Sequence, residues 1–71
     1  MNQVQFDQLI ASIKHMVKAD LDGGKRIPSG ENILTRLRSE YYFQFTDARN
    51  GDPSKVIGIY SRMRWILETH E

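Results

Sequence analysis

Three stretches of this chain carry apolar residues at the three- and four-residue spacing of a helix, and two short glycine-containing breaks separate them. This spacing predicts helices at about residues 4–21, 30–49 and 53–69. No stretch alternates apolar and polar residues regularly enough to predict a strand. The sequence therefore predicts an all-α fold, a single domain of three helices spanning residues 1–71 around one small core.

The breaks contain the residue types that end and begin helices. Gly23 and Gly24 follow the first stripe, and glycine readily adopts the left-handed backbone that ends a helix. Ser29 is the predicted N-cap of the second helix, and Asp52 is that of the third, with Pro53 at its first position. Because the second break is so short, helices two and three are expected to run antiparallel or to cross at an angle.

The apolar stripes also predict the residues of the core. A chain of 71 residues buries only about 60% of its unfolded surface when it folds alone, so domains of this size often gain stability by pairing. We therefore expect the three helices to pack as a homodimer. The residues expected to be mostly buried are Leu9, Ile13, Met16, Leu34, Leu37, Tyr41, Phe45, Tyr60, Met63 and Leu67.

Trp65 lies off the apolar stripe of the third helix. At about 100° per residue, its side chain projects from the side opposite the core. Gly58 and Ser61 share that side, and Ile57 lies at its margin. Aromatic residues are enriched at contact hot spots, and small neighbours let a partner approach closely. We therefore predict that this face contacts another protein, either a second copy of the chain or a different partner.

Two further aromatic residues are predicted to belong to a contact surface. On the second helix, Phe43 projects about 150° from the centre of the apolar stripe, and Tyr42 lies at its border. Both are therefore interpreted as interface residues together with Trp65. The alternative is that one of these aromatics packs beneath a connector or a chain end, since single exposed apolar side chains are common.

Five basic residues raise the alternative of nucleic-acid binding. Arg62 and Arg64 flank Trp65 in the sequence, Lys55 lies near the start of the third helix, and Lys25 and Arg26 lie in the first break. Such cations contact phosphates, and a tryptophan can stack on a base. However, ten basic residues face nine acidic ones, for a formal net charge of only +1. Helix-turn-helix-like nucleic-acid binding is therefore the alternative to an adaptor or regulatory role through protein contacts.

The sequence contains no motif for catalysis, a cofactor or a metal. It has no cysteine, and its two histidines, His15 and His70, are far apart. No base or oxyanion donor is recognisable, so we expect no enzymatic activity, no cofactor and no small-molecule substrate. The N-terminal residues lack the apolar run of a secretory signal, and no apolar stretch is long enough to span a bilayer. We expect a cytoplasmic protein without a membrane partner, of the kind that bacteria, phages and mobile elements carry as accessory proteins.

Overall fold

The computed structural model describes residues 3–70, which form three helices: α1 (Gln3–Asp22), α2 (Gly30–Ser39) and α3 (Pro53–Thr69). Within this part of the chain no residue is in a strand. The predicted all-α, three-helix fold is therefore confirmed. The bounds of α1 and α3 agree with the predicted ranges to within one residue.

The helix ends are built as the sequence predicts. The Ser29 hydroxyl accepts a hydrogen bond from the Asn32 backbone N–H at 3.2 Å, which caps α2. The Asp52 carboxylate accepts one from the Ser54 N–H at 2.9 Å, with Pro53 in the first turn of α3. Gly24 takes a φ of 64°, the left-handed backbone that ends α1.

The predicted extent of the second helix is wrong, because α2 ends at Ser39 and not at residue 49. Tyr42 takes a positive φ of 55°, and the Phe43 N–H donates to the Leu37 carbonyl at 2.8 Å. Tyr41 and Phe45 fit the helical stripe and Phe43 does not, whereas all three fit a period of two. Aromatic residues also favour extended backbone over helix, so the chain leaves the helix in this run.

The N-terminal ends of α2 and α3 lie in contact. Gly30 is buried, and a Cβ added there would lie 2.3 Å from the Pro53 carbonyl oxygen. An antiparallel pair joined by a tight turn would place the end of α2, not its start, beside Pro53. Residues 40–52 therefore lead the chain back toward the start of α2, and no tight turn joins the two helices.

The core lies where α3 packs against both α1 and α2. Of the predicted core residues, the buried ones are Leu9, Ile13, Met16, Leu34, Leu37 and Tyr60. Those that pack half-buried against them are Tyr41, Phe45, Met63 and Leu67. The core also includes four buried residues that were not in the predicted set: Val17, Ile33, Phe43 and Val56.

Gly30→Ala is expected to lower the free energy of unfolding by about 1–3 kcal/mol, because the new methyl group overpacks the contact with the Pro53 backbone. Gly58→Ala is the matched control. A Cβ at Gly58 meets no atom within 4 Å, and alanine is the better helix former, so this change should stabilise by about 0.5–1 kcal/mol. Urea denaturation of both variants at low protein concentration checks the pair. Equal effects of the two substitutions would contradict the close approach at Gly30.

Candidate protein-interaction surface

Trp65 projects from the side of α3 opposite Val56 and Tyr60, which are buried in the core. Its surface is 63% exposed, so the described residues leave most of Trp65 uncovered. Gly58, two turns earlier, is exposed with open space around it, and Ser61, one turn earlier, is half-buried. The helical wheel therefore predicts the direction of this face correctly.

Ile57 borders this face. It is half-buried and packs against the core cluster, so it joins the exposed face to the interior of the domain. We call Ile57, Gly58, Ser61 and Trp65 the Trp65 strip. Its members come from one continuous helix with buried anchors on the opposite side, so the strip is held rigidly by the fold.

The structure does not bring Tyr42 and Phe43 to the Trp65 strip. Phe43 is buried, with only 8% exposed, and its ring centroid lies 4.9 Å from that of Phe45. Its predicted outward position is wrong, because that position assumed that α2 continues past Ser39. Tyr42 is 85% exposed, beside a groove that residues of α1 line. A role of these two residues in a contact stays a prediction, and it would involve a different surface.

Arg64 is held inside the domain rather than beside Trp65. Its Nη2 donates to the Lys25 carbonyl at 2.6 Å, its Nη1 to the Tyr60 hydroxyl at 3.4 Å, and its Nε pairs with Glu68 at 3.0 Å. The side chain is only 15% exposed. Arg64 therefore braces the connector after α1 against α3 and is not a free cation for phosphate contact.

The other predicted nucleic-acid contacts are exposed. Lys25 and Arg26 lie in the connector between α1 and α2. Lys55 and Arg62 lie on α3, and neither makes an ion pair or side-chain hydrogen bond within residues 3–70. By helical spacing, Lys55 and Arg62 project on the same side as Gly58 and Trp65. The Trp65 strip is therefore bordered on one flank by two free positive charges.

A polar cluster that the sequence pattern did not predict joins all three helices. The Asp20 side chain of α1 is almost fully buried, and its Oδ2 accepts from Arg36 Nη1 of α2 at 2.9 Å. The Tyr60 hydroxyl of α3 donates to the same oxygen. The sequence does carry one sign of this cluster. Asp20 lies at helical spacing from Met16 and Val17 and so continues the buried stripe of α1.

The electrostatics of this cluster favour one ionisation state. Burial acts to raise the pKa of Asp20, but hydrogen bonds from Arg36 and Tyr60 outweigh it and lower that pKa below its ordinary value. Burial and the neighbouring Asp20 carboxylate raise the pKa of Tyr60. In the described residues no buried side-chain N or O atom lacks a partner. The cluster is thus a satisfied structural contact, with Asp20 ionised and Tyr60 protonated.

The two histidines lie in different parts of the fold. His15 Nδ1 lies 2.9 Å from the Tyr41 hydroxyl, and His70 forms the exposed C-cap of α3. Within residues 3–70, no group of three His, Cys, Asp or Glu side chains is placed to hold a metal ion. None of the three helices combines the length and apolar character needed to cross a bilayer.

Comparisons of this chain with protein-family models, with curated proteins and with solved structures find no match. The function proposed below therefore rests on the residues of this chain alone.

Proposed function

We propose that this protein is a non-enzymatic adaptor or regulatory protein that acts through helix–helix contacts, and that its Trp65 strip pairs with a second copy of the chain. The exposure of Trp65, beside the open space at Gly58, is the observation that carries the proposal. An exposed tryptophan next to small residues offers a large apolar area with a polar N–H at its rim. We further propose a cytoplasmic location, which the lack of cysteine supports.

The Trp65 strip suits pairing with itself around a two-fold axis. An antiparallel arrangement centred between Ser61 and Arg62 would set Trp65 of each protomer opposite Gly58 of its partner. Because a Cβ at Gly58 meets nothing within 4 Å, the partner's indole could lie against the helix backbone there. Such a contact is self-complementary, as two-fold symmetry requires.

This dimer is expected to tighten as ionic strength rises. In an antiparallel two-fold pair the same flanks meet, so Lys55 and Arg62 of one protomer approach those of the other. The exposed like charges that meet on this flank repel each other weakly, and salt screens that repulsion. The Kd of the dimer should therefore fall by roughly threefold between low and high salt. Sedimentation equilibrium in low and high NaCl checks this, and Arg62→Gln should reduce the salt effect. A dimer that weakens with salt would contradict the arrangement.

Nucleic-acid binding is the second candidate, because the free cations Lys55 and Arg62 share the side of α3 that carries Trp65. It predicts the opposite response to salt, since phosphate contacts release counterions. Fluorescence polarisation with a labelled single-stranded oligonucleotide would then show affinity falling with salt. Arg62→Gln would flatten that slope by about one unit, as expected for one lost phosphate contact. Loss of affinity without a change of slope would argue against a phosphate contact by Arg62.

A further inference from the structure

A second surface, independent of the Trp65 strip, lies along residues 42–46. Exposure alternates along this segment: Tyr42, Gln44 and Thr46 are exposed, while Phe43 is buried and Phe45 is half-buried. An alternation of this kind is the pattern of extended backbone. The packing of the two phenylalanine rings into the domain therefore holds residues 43–46 extended at the surface, after the left-handed turn at Tyr42.

The backbone of this segment is left without partners. Across residues 3–70, nothing accepts a hydrogen bond from the N–H of Gln44, Phe45 or Thr46, and no donor reaches the carbonyls of those residues. An extended run with unpaired N–H and C=O groups is a template for pairing with another strand. Residues 41–46 carry no charge, and four of these six residues are aromatic, a type that prefers strands.

An open groove of about 520 Å³ lies between α1 and this segment. Its walls carry amides, hydroxyls and aromatic rings, with no charged side chain. A charged occupant would lose hydration there without gaining an opposite charge. The residues that line the groove are Gln5, Gln8, Ala11, Ser12, Tyr41, Tyr42, Phe43 and Gln44.

We propose that this groove binds an uncharged, extended peptide segment of another protein, which adds as a strand to residues 43–46. Backbone hydrogen bonds to Gln44 and Thr46, which face the same edge, would supply one side of the pairing, as in other cases of strand addition. On the opposite edge, the Gln8 amide can donate to or accept from the peptide backbone. Ser12 Oγ donates to the Gln8 carbonyl and can accept from the peptide. The exposed Tyr42 ring would cover a side chain of the peptide.

The test uses a capped hexapeptide of alternating threonine and valine, added to the Trp65→Ala variant so that pairing through the strip does not interfere. We expect saturable amide chemical-shift changes at residues 43–46 and slower hydrogen exchange of the Gln44 and Thr46 amides, which face the same edge. The Phe45 amide faces the other edge and should exchange as before. The same peptide methylated at every backbone nitrogen cannot donate from either edge, and it should bind at least about tenfold more weakly. Equal binding of the two peptides, or no saturable change with either, would overturn the proposal.

Two variants of one residue separate backbone pairing from side-chain contact. Gln44→Pro removes an N–H donor from the segment, and it should weaken peptide binding at least about tenfold. Gln44→Ala keeps the N–H and should bind nearly as well as the parent, with circular dichroism confirming that both variants fold. Exchange protection of residues 42–46 that rises with protein concentration alone would make a second copy the occupant and overturn the foreign-peptide proposal. These outcomes leave the Trp65 strip untouched, so the two proposals fail separately.

Discussion

Asp20→Ala is expected to lower the free energy of unfolding by about 2–4 kcal/mol, among the largest effects of any single substitution in this chain. The change leaves the buried Tyr60 hydroxyl without its acceptor and removes the partner of Arg36. The Arg36 side chain is a quarter exposed, so water can partly compensate the lost ion pair. The expected loss therefore lies toward the lower end of the range for a broken buried pair.

Asp22→Ala is the control for this measurement, because Asp22 lies on the same helix end but is exposed. Its effect on the free energy of unfolding, measured by urea denaturation, should stay within about 0.5 kcal/mol. Because the pKa of Asp20 is lowered in the folded state, the stability of the protein also depends on pH. Its contribution to stability is present above the ordinary value of 3.8 and is lost as the pH falls through the lowered folded value. An Asp20→Ala variant as stable as the Asp22→Ala variant would contradict the role of the cluster.

Trp65→Ala is expected to convert a dimer to a monomer while leaving the helical circular dichroism in place. The indole is outside the core, so its removal opens no cavity in the monomer. A hot-spot tryptophan at a contact is commonly worth about 2–4 kcal/mol, which corresponds to a Kd at least roughly thirtyfold higher. Light scattering gives the mass, and the far-ultraviolet signal of the same samples gives the helix content.

Tyr42→Ala is the matched control, because Tyr42 is an even more exposed aromatic on a different surface. It should leave the mass of the dimer unchanged. If Tyr42→Ala dissociated the dimer as strongly as Trp65→Ala, the contact would not be specific to the Trp65 strip. Joint loss of helicity and association in Trp65→Ala would instead mean that the protomer folds only in a pair.

Features of this fold that local chemistry decides could be predicted from the sequence. The Ser29 and Asp52 caps, the left-handed Gly24 and the outward direction of Trp65 each depend on a few adjacent residues or on the turn of one helix. The residues that bear on these features are present in the immediate sequence, so propensity and periodicity were sufficient.

The path after α2 could not be predicted, because it depends on contacts across the domain. Tyr41 and Phe45 continue the helical stripe, while Phe43 fits only an alternating pattern, and burial of Phe43 in the core decides between the two. The Asp20 cluster was missed for a related reason. Its partners, Arg36 and Tyr60, are distant in sequence and converge only once the three helices pack.

The measurement that tests the central claim most directly is the emission of Trp65 across a protein concentration series, read together with the mass of the same samples. Trp65 is the only tryptophan in the chain, so its fluorescence reports on the strip alone. We predict that, as the mass rises from 8.3 kDa toward twice that value, the emission shifts to the blue and iodide quenches it less. A mass that stays at 8.3 kDa up to millimolar concentration, with quenching unchanged, would contradict pairing through the Trp65 strip.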